Sequence, residues 1–163
     1  MNDPTQRWYP MTDDPPYERH REDGHVVSTD RARLDRDMIH RFIAEDSYWG
    51  QGIPRAVFDR ALDHSQPFGL YDAQGIQQGF ARVTTDRATF GYLQDVFVLP
   101  AGRGRGLGKF LVDSILAHPG LTGFRRWLLA TRDAHTLYAQ YGFTALNRPE
   151  SLMERHDPEV YRR

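Results

Sequence analysis

The stretch Val98-Leu99-Pro100-Ala101-Gly102-Arg103-Gly104-Arg105-Gly106-Leu107-Gly108-Lys109 carries the strongest signal in the chain. Apolar residues lead into it, glycine occupies every second position from 102 to 108, and Leu107, Phe110, Leu111 and Ile115 then recur at helical spacing. The pattern predicts a strand, a glycine turn and a helix that begins inside the glycines. The first turn of a helix has unpaired backbone N–H groups and the positive end of the helix dipole, which together hold a phosphate well. Glycine lets the backbone approach closely and adopt positive φ. Arg103, Arg105 and Lys109 add three positive charges beside those amides. The chemistry implied is recognition of a pyrophosphate-bearing cofactor.

Two common phosphate loops do not fit. A nucleotide P-loop ends in Gly-Lys followed by Ser or Thr, whereas Gly108-Lys109 is followed by Phe110. A dinucleotide fingerprint spaces its glycines as Gly-x-Gly-x-x-Gly and sits at the first strand of its unit, and neither holds for Gly104, Gly106 and Gly108. Two plainer readings stay open: an ordinary flexible turn, and an Arg-Gly tract that touches RNA loosely.

Outward from the turn, Val26-Val27 reads as a short strand, and Thr29-Asp30 as a helix cap. Leu34, Met38, Ile39, Phe42 and Ile43 form one amphipathic helix, and Pro54 opens a second carrying Val57, Phe58, Ala61 and Leu62. Strand signals follow at 68–71, 79–85 and 90–99, with a hairpin turn at Asp72-Ala73-Gln74-Gly75. Beyond the glycine helix, which ends at Pro119-Gly120, a strand is expected at 127–130. Asp133 can cap a last helix bearing Ala134, Leu137, Tyr138 and Tyr141, closed by Gly142. One or two final strands are expected between Phe143 and Arg155. The order β-α-α-β-β-β-α-β-α-β predicts a mixed α/β fold, mainly antiparallel, with helices flanking a central sheet.

The chain has 163 residues, 21 basic and 22 acidic, a net charge of −1. This length suits one domain. Residues 1–24 contain no Ile, Leu, Val, Phe or Ala but four prolines and six acidic residues, so they are expected as a flexible polar arm ahead of a single domain at 25–163. Near-neutral charge gives no reason to expect nucleic acid or an anionic membrane as partner. No stretch approaches the roughly 18 apolar residues of a membrane helix, and no secretory leader pattern opens the chain, so a cytoplasmic location is expected. Cysteine is absent, which excludes disulfides, thiolate metal sites and a cysteine-bound intermediate. The seven histidines show no metal-ligand spacing, so no metal is expected.

Arg103-x-x-Gly106-x-Gly108 after Val98-x-Pro100 resembles the acetyl-coenzyme A signature of the GCN5-related N-acetyltransferase (GNAT) family. Ala134-x-x-x-Tyr138-x-x-x-Gly142-Phe143 resembles that family's second motif, in the expected order. The resemblance implies the GNAT fold, with splayed central strands and the pantetheine arm of acetyl-CoA lying in the gap. It implies backbone contacts to that arm from Val96, Phe97 and Val98, and pyrophosphate binding at Arg103, Gly104, Arg105, Gly106, Leu107, Gly108 and Lys109. Thr131 departs from the pattern, standing where many members carry an asparagine that touches the arm. The implied reaction is direct attack by an amine on acetyl-CoA in a ternary complex, with Tyr138 protonating the departing sulfur; the alternative for Tyr138 is a core tyrosine.

Strand alternation places Leu93, Asp95, Phe97 and Leu99 on one face. That makes Asp95 a carboxylate among apolar neighbours, either a general base or the partner of an arginine such as Arg82. Tyr48 and Trp49, in the connection between the first two helices, are candidate walls of an acceptor site or a hydrophobic plug. The resulting expectation is an acetyl-CoA-dependent N-acetyltransferase acting on a small-molecule amine, with a homodimer left open. Transfer of another acyl group, acylation of a protein lysine, and a CoA-binding sensor without turnover are the alternatives.

Overall fold

A computed structural model describes residues 15–162. Six strands form one sheet in sequence order: β1 (Glu18–His20), β2 (Val26–Ser28), β3 (Gln66–Tyr71), β4 (Gln77–Thr85), β5 (Phe90–Val98) and β6 (Arg126–Leu129). Neighbours pair antiparallel except β5 and β6, which are parallel because α3 (Leu107–Leu116) carries the chain back between them. The antiparallel, helix-flanked α/β sheet is the expected one.

Alternation divides the side chains between two cores. Phe68 pairs with Ala81 and Val83 with Leu93, and these pack with Leu111 and Ile115 of α3. Phe80 pairs with Phe97 on the opposite face, against α1 (Arg36–Arg41) and α2 (Arg55–Asp63), which supply Ile39, Phe58 and Leu62. Asp35 caps α1 by accepting from the Met38 N–H at 2.9 Å. Pro54 stands at the N-cap of α2, where its missing N–H costs nothing. α1 runs into a π-helical turn at Phe42–Asp46, which delivers the chain to Tyr48 and Trp49.

The feature that shapes the site is a β-bulge in β5. Phe80 opposes Phe97 but Arg82 opposes Gln94, so Ala81 faces two residues, Asp95 and Val96, and Asp95 takes φ +55°. Side-chain parity flips there. Leu93 belongs to the α3 core and Phe97 to the α1–α2 core, which corrects the expectation of one face for Leu93, Asp95, Phe97 and Leu99. The parallel ladder runs only from Phe90↔Arg126 to Leu93↔Leu129. Gln94 to Val98 therefore have no β6 partner, and the bulge bends β5 away where the ladder stops. The central strands are splayed.

Other expectations are corrected. Glu18–His20 lies inside the segment read as an arm but forms β1, held by the pairs Glu18↔Ser28 and His20↔Val26. The Arg19–Asp113 ion pair at 2.7 Å also ties it to α3. Residues 1–14 of that segment lie outside the described residues. No strand forms between Phe143 and Arg155; this stretch is largely exposed, and Pro149 opens a short 3-10 turn, Pro149–Ser151. Without a face to bury, and with a proline lacking a ladder donor, it gains little from pairing. α4 (His135–Ala139) has Ala134 at its N-cap with no side-chain capping bond, so Asp133 does not cap it; Thr131 Oγ1 accepts from the Ala134 N–H at 3.0 Å and shapes the turn before it. Among the described residues, no helix is long and apolar enough to cross a membrane.

Candidate active site

At the glycine turn, Gly104 and Gly106 take φ of +75° and +73°. A Cβ at Gly104 would meet nothing within 4 Å, so the loop's outer surface is open to a large anion. Gly106 stands at the N-cap of α3 with no side chain to cap it, leaving the Leu107, Gly108 and Lys109 amides available. Arg103 Nε donates to the Val98 carbonyl at 3.1 Å, fastening the loop to the end of β5. The Tyr141 hydroxyl donates to the Lys109 carbonyl at 2.9 Å and joins α4 to the same turn. The local chemistry fits a pyrophosphate: uncapped amides, a helix N-terminus, and Arg103, Arg105 and Lys109 around them.

Arg21 was not among the sequence candidates. It donates from Nη2 to the Arg105 carbonyl at 2.9 Å, and its Nη1 lies 3.8 Å from where a Cβ on Gly106 would sit. It pairs with Asp23 at 3.1 Å, which holds a fourth cation beside the loop. Only the β1–β2 pairing brings it there.

Where the two central strands part, a cavity of about 510 Å³ opens. It brings together Tyr48, Trp49, Asp95, Val96 and Tyr138, which are far apart in sequence, together with Arg132. Arg103 to Lys109 lie outside its lining, and so do Phe97 and Val98. The Phe97 ring is turned away, stacked on Phe42 with ring centroids 3.8 Å apart. Sequence reasoning missed Tyr161, which lines the cavity from the far end of the chain.

Tyr138 is 8% exposed, and among the described residues none hydrogen-bonds its hydroxyl. Burial pushes its pKa up to about 12, with Tyr48 and Asp133 adding to the effect. At neutral pH it is a protonated phenol at the cavity wall, able to donate. The Phe143 ring, 6.0 Å away and edge-on, fixes its plane.

Asp95 takes the second of its two expected settings, as the partner of Arg82. Its carboxylate pairs with Arg82 Nε and accepts from Trp49 Nε1 at 2.9 Å, and the two ion-pair side chains are only 10% and 14% exposed. Arg82 Nη2 donates to Gln94 Oε1 at 3.1 Å, and Gln94 Nε2 donates to Thr84 Oγ1. A carboxylate taken out of water needs a counter-ion, and the sheet supplies it from the adjacent strand. Both Asp95 oxygens are engaged, so it is not an isolated carboxylate among apolar groups.

Tyr48 closes the cavity from the other side. Its hydroxyl accepts from the Arg132 N–H at 2.9 Å, and the Arg132 guanidinium lies 3.9 Å over its ring. Trp49 stands edge-on to Tyr48 at 5.0 Å. Ser47 sets this loop: its hydroxyl donates to the Ile43 carbonyl at 2.7 Å and accepts from Gly50 N–H at 3.1 Å. Among the described residues, no group of His, Asp or Glu could hold a metal ion.

An acetyltransferase (GNAT) domain model matches residues 63–145, from the end of α2 to just past α4. A curated protein of Gibberella zeae that carries an acetyltransferase name is 33% identical over 135 residues, covering 71% of this chain and 76% of that one. A crystal structure from Xanthomonas campestris pv. campestris, described as belonging to the GNAT family, superposes with a TM-score of 0.81 at 54% identity, covering 84% of this chain and 96% of that one. A Mycobacterium tuberculosis protein solved in complex with CoA and NLQ shares the fold, with a TM-score of 0.58 at 22% identity over 75% of this chain and 73% of that one. The family model and the relatives agree, and the chain belongs to the GNAT acetyltransferase family.

Proposed function

We propose that the protein transfers an acetyl group from acetyl-CoA to the nitrogen of a small amine, by direct attack while both substrates are bound. One observation carries this reading: the phenol of Tyr138 faces a cavity that opens where β5 and β6 part, with the uncapped helix N-terminus at the far end of β5. The fold neighbour with CoA bound supports the same donor.

The loop amides, Arg103, Arg105, Lys109 and Arg21 hold the pyrophosphate. The β5 edge from Val96 to Val98, left without a β6 partner, receives the pantetheine arm, with the Val98 carbonyl already taken by Arg103. The amine nitrogen attacks the thioester carbonyl carbon. The C–S bond then breaks and the thiolate takes the Tyr138 proton; the nitrogen gives up its extra proton to water, and the Tyr138 phenolate regains one from solvent. No cysteine exists to carry the acetyl group, which favours the single-step route. Asp95 acts as an anchor: through Trp49 it fixes the acceptor wall, and water takes the amine proton while backbone carbonyls accept hydrogen bonds from the amine. Tyr48 and Trp49 enclose the acceptor.

The test is a panel of small amines assayed for thiol release from acetyl-CoA, with product mass determined. Acetylated product from at least one amine supports the reading. Tight CoA binding with no release from any amine would replace it with a CoA-responsive binding module.

A further inference from the structure

We infer that the C-terminal tail is a wall of the acceptor site and that Tyr161 limits the bulk of the amine admitted, favouring free small molecules over lysines on a polypeptide; this rests on the transferase reading above. Three observations converge on Tyr161. It lines the cavity beside Trp49 and Ile53. It packs on the core built from α1, α2 and Phe97, so it is seated and not loose on the surface. Its carbonyl lies 3.9 Å from where a Cβ on Gly52 would sit, which places the tail backbone directly on the α1–α2 loop.

The segment that brings it there contributes little to the core. After Phe143, residues 144–160 are all exposed. The chain then folds into a short turn at Val160–Arg162. Asp157 accepts from Glu159 N–H at 3.1 Å, and Arg162 pairs with Glu159 at 3.0 Å, shaping the turn that presents Tyr161. Leu152 and Met153 stay exposed, the latter at 98%, so the route contributes little core. Glycine at 52, with φ +75°, provides the flat backbone on which the turn rests. With Tyr48, Trp49 and Tyr92, Tyr161 gives the acceptor end a half-open aromatic wall. A polypeptide presenting a lysine would have to pass this wall, whereas a free amine of a few heavy atoms fits inside it.

The experiment compares the full chain with Tyr161→Ala, Tyr161→Phe and a form lacking residues 157–163. Each is assayed on amines of graded bulk, including a lysine-containing peptide, and each is followed by hydrogen exchange at residues 47–53. The expected result for Tyr161→Ala and the truncation is a rise of about tenfold in KM for the smallest good acceptor. Bulky amines should gain about tenfold in kcat/KM relative to it, the scale on which apolar pockets discriminate size. CoA affinity should hold, exchange at 47–53 should speed up, and Tyr161→Phe should behave as the parent. An unchanged ranking of amines overturns the inference. If no form acetylates any amine, the transferase reading fails, and exchange at 47–53 alone decides the placement of the tail: unchanged protection after truncation contradicts it.

Discussion

Replacing Asp95 with asparagine separates an anchor from a base. The carboxylate is 10% exposed and faces Arg82 at 14%, so removing its charge strands a buried guanidinium. Breaking a buried pair by losing one partner costs about 3–5 kcal/mol in general, and the asparagine oxygen still accepts one bond, so the lower end applies, about 3 kcal/mol. For a chain of this size that corresponds to a melting temperature lowered by about 6–12 °C. Asp95→Asn combined with Arg82→Gln should recover part of the loss, because no buried charge remains, giving a coupling of about 1–3 kcal/mol in a double-mutant cycle. Urea unfolding of the four proteins measures this. In parallel, the acceptor KM should rise because Trp49 loses its partner, while the pH profile of kcat keeps its shape. If Asp95→Asn is as stable as the parent, and kcat falls by about 10²–10⁴ with the acid-side dependence altered, Asp95 is a general base and the anchor role is refuted.

Gly106→Glu places a negative charge at the uncapped N-terminus of α3, and CoA affinity by calorimetry should fall by orders of magnitude, since opposed charges at close range are worth several kcal/mol. Gly106→Ala shares the strain of the left-handed backbone, so the difference between the two isolates the charge. Steady-state lines with acetyl-CoA and amine varied together should intersect and iodoacetamide should leave activity intact; parallel lines would point to a covalent acetyl-enzyme. The Tyr138 phenol ionises near pH 10 when unfolded and at about 12 in the fold, so the folded state holds its proton longer. Its contribution to stability is therefore complete below pH 10 and lost as pH climbs toward 12, and Tyr138→Phe should flatten that limb in alkaline denaturation curves.

The glycine turn and α4 were legible because their signals are local. Glycines at alternate positions, then Leu107, Phe110, Leu111 and Ile115 on one stripe, leave few other structures for that stretch. The splay of β5 from β6 follows from the resemblance and not from periodicity. Its physical cause, the bulge at Asp95, left no sequence mark: aspartate at φ +55° looks like any strand residue, and counting every second position carries the parity straight through it. Alternation alone therefore puts Leu93 and Phe97 on one face. β1 was hidden for another reason. Glu18, Arg19 and His20 show no apolar alternation, and their order comes from pairing with β2 and from Arg33–Glu18 and Arg19–Asp113 contacts at 2.6 and 2.7 Å. Arg21 reaches the phosphate loop on the back of that pairing. Tyr161 is invisible to motif spacing, since only the folded tail carries it to the cavity.

The central claim is that Tyr138 supplies the proton to the leaving thiolate, and kcat of Tyr138→Phe tests it most directly. The substitution removes one oxygen from a side chain that is 8% exposed and whose hydroxyl has no hydrogen-bond partner among the described residues, so folding and CoA affinity should change little. The account predicts a fall in kcat of about 10²–10⁴ at unchanged CoA affinity, with a smaller loss for an acyl donor whose thiol leaves without help. Normal kcat in a folded Tyr138→Phe protein would contradict it, returning Tyr138 to the core and leaving the proton to water.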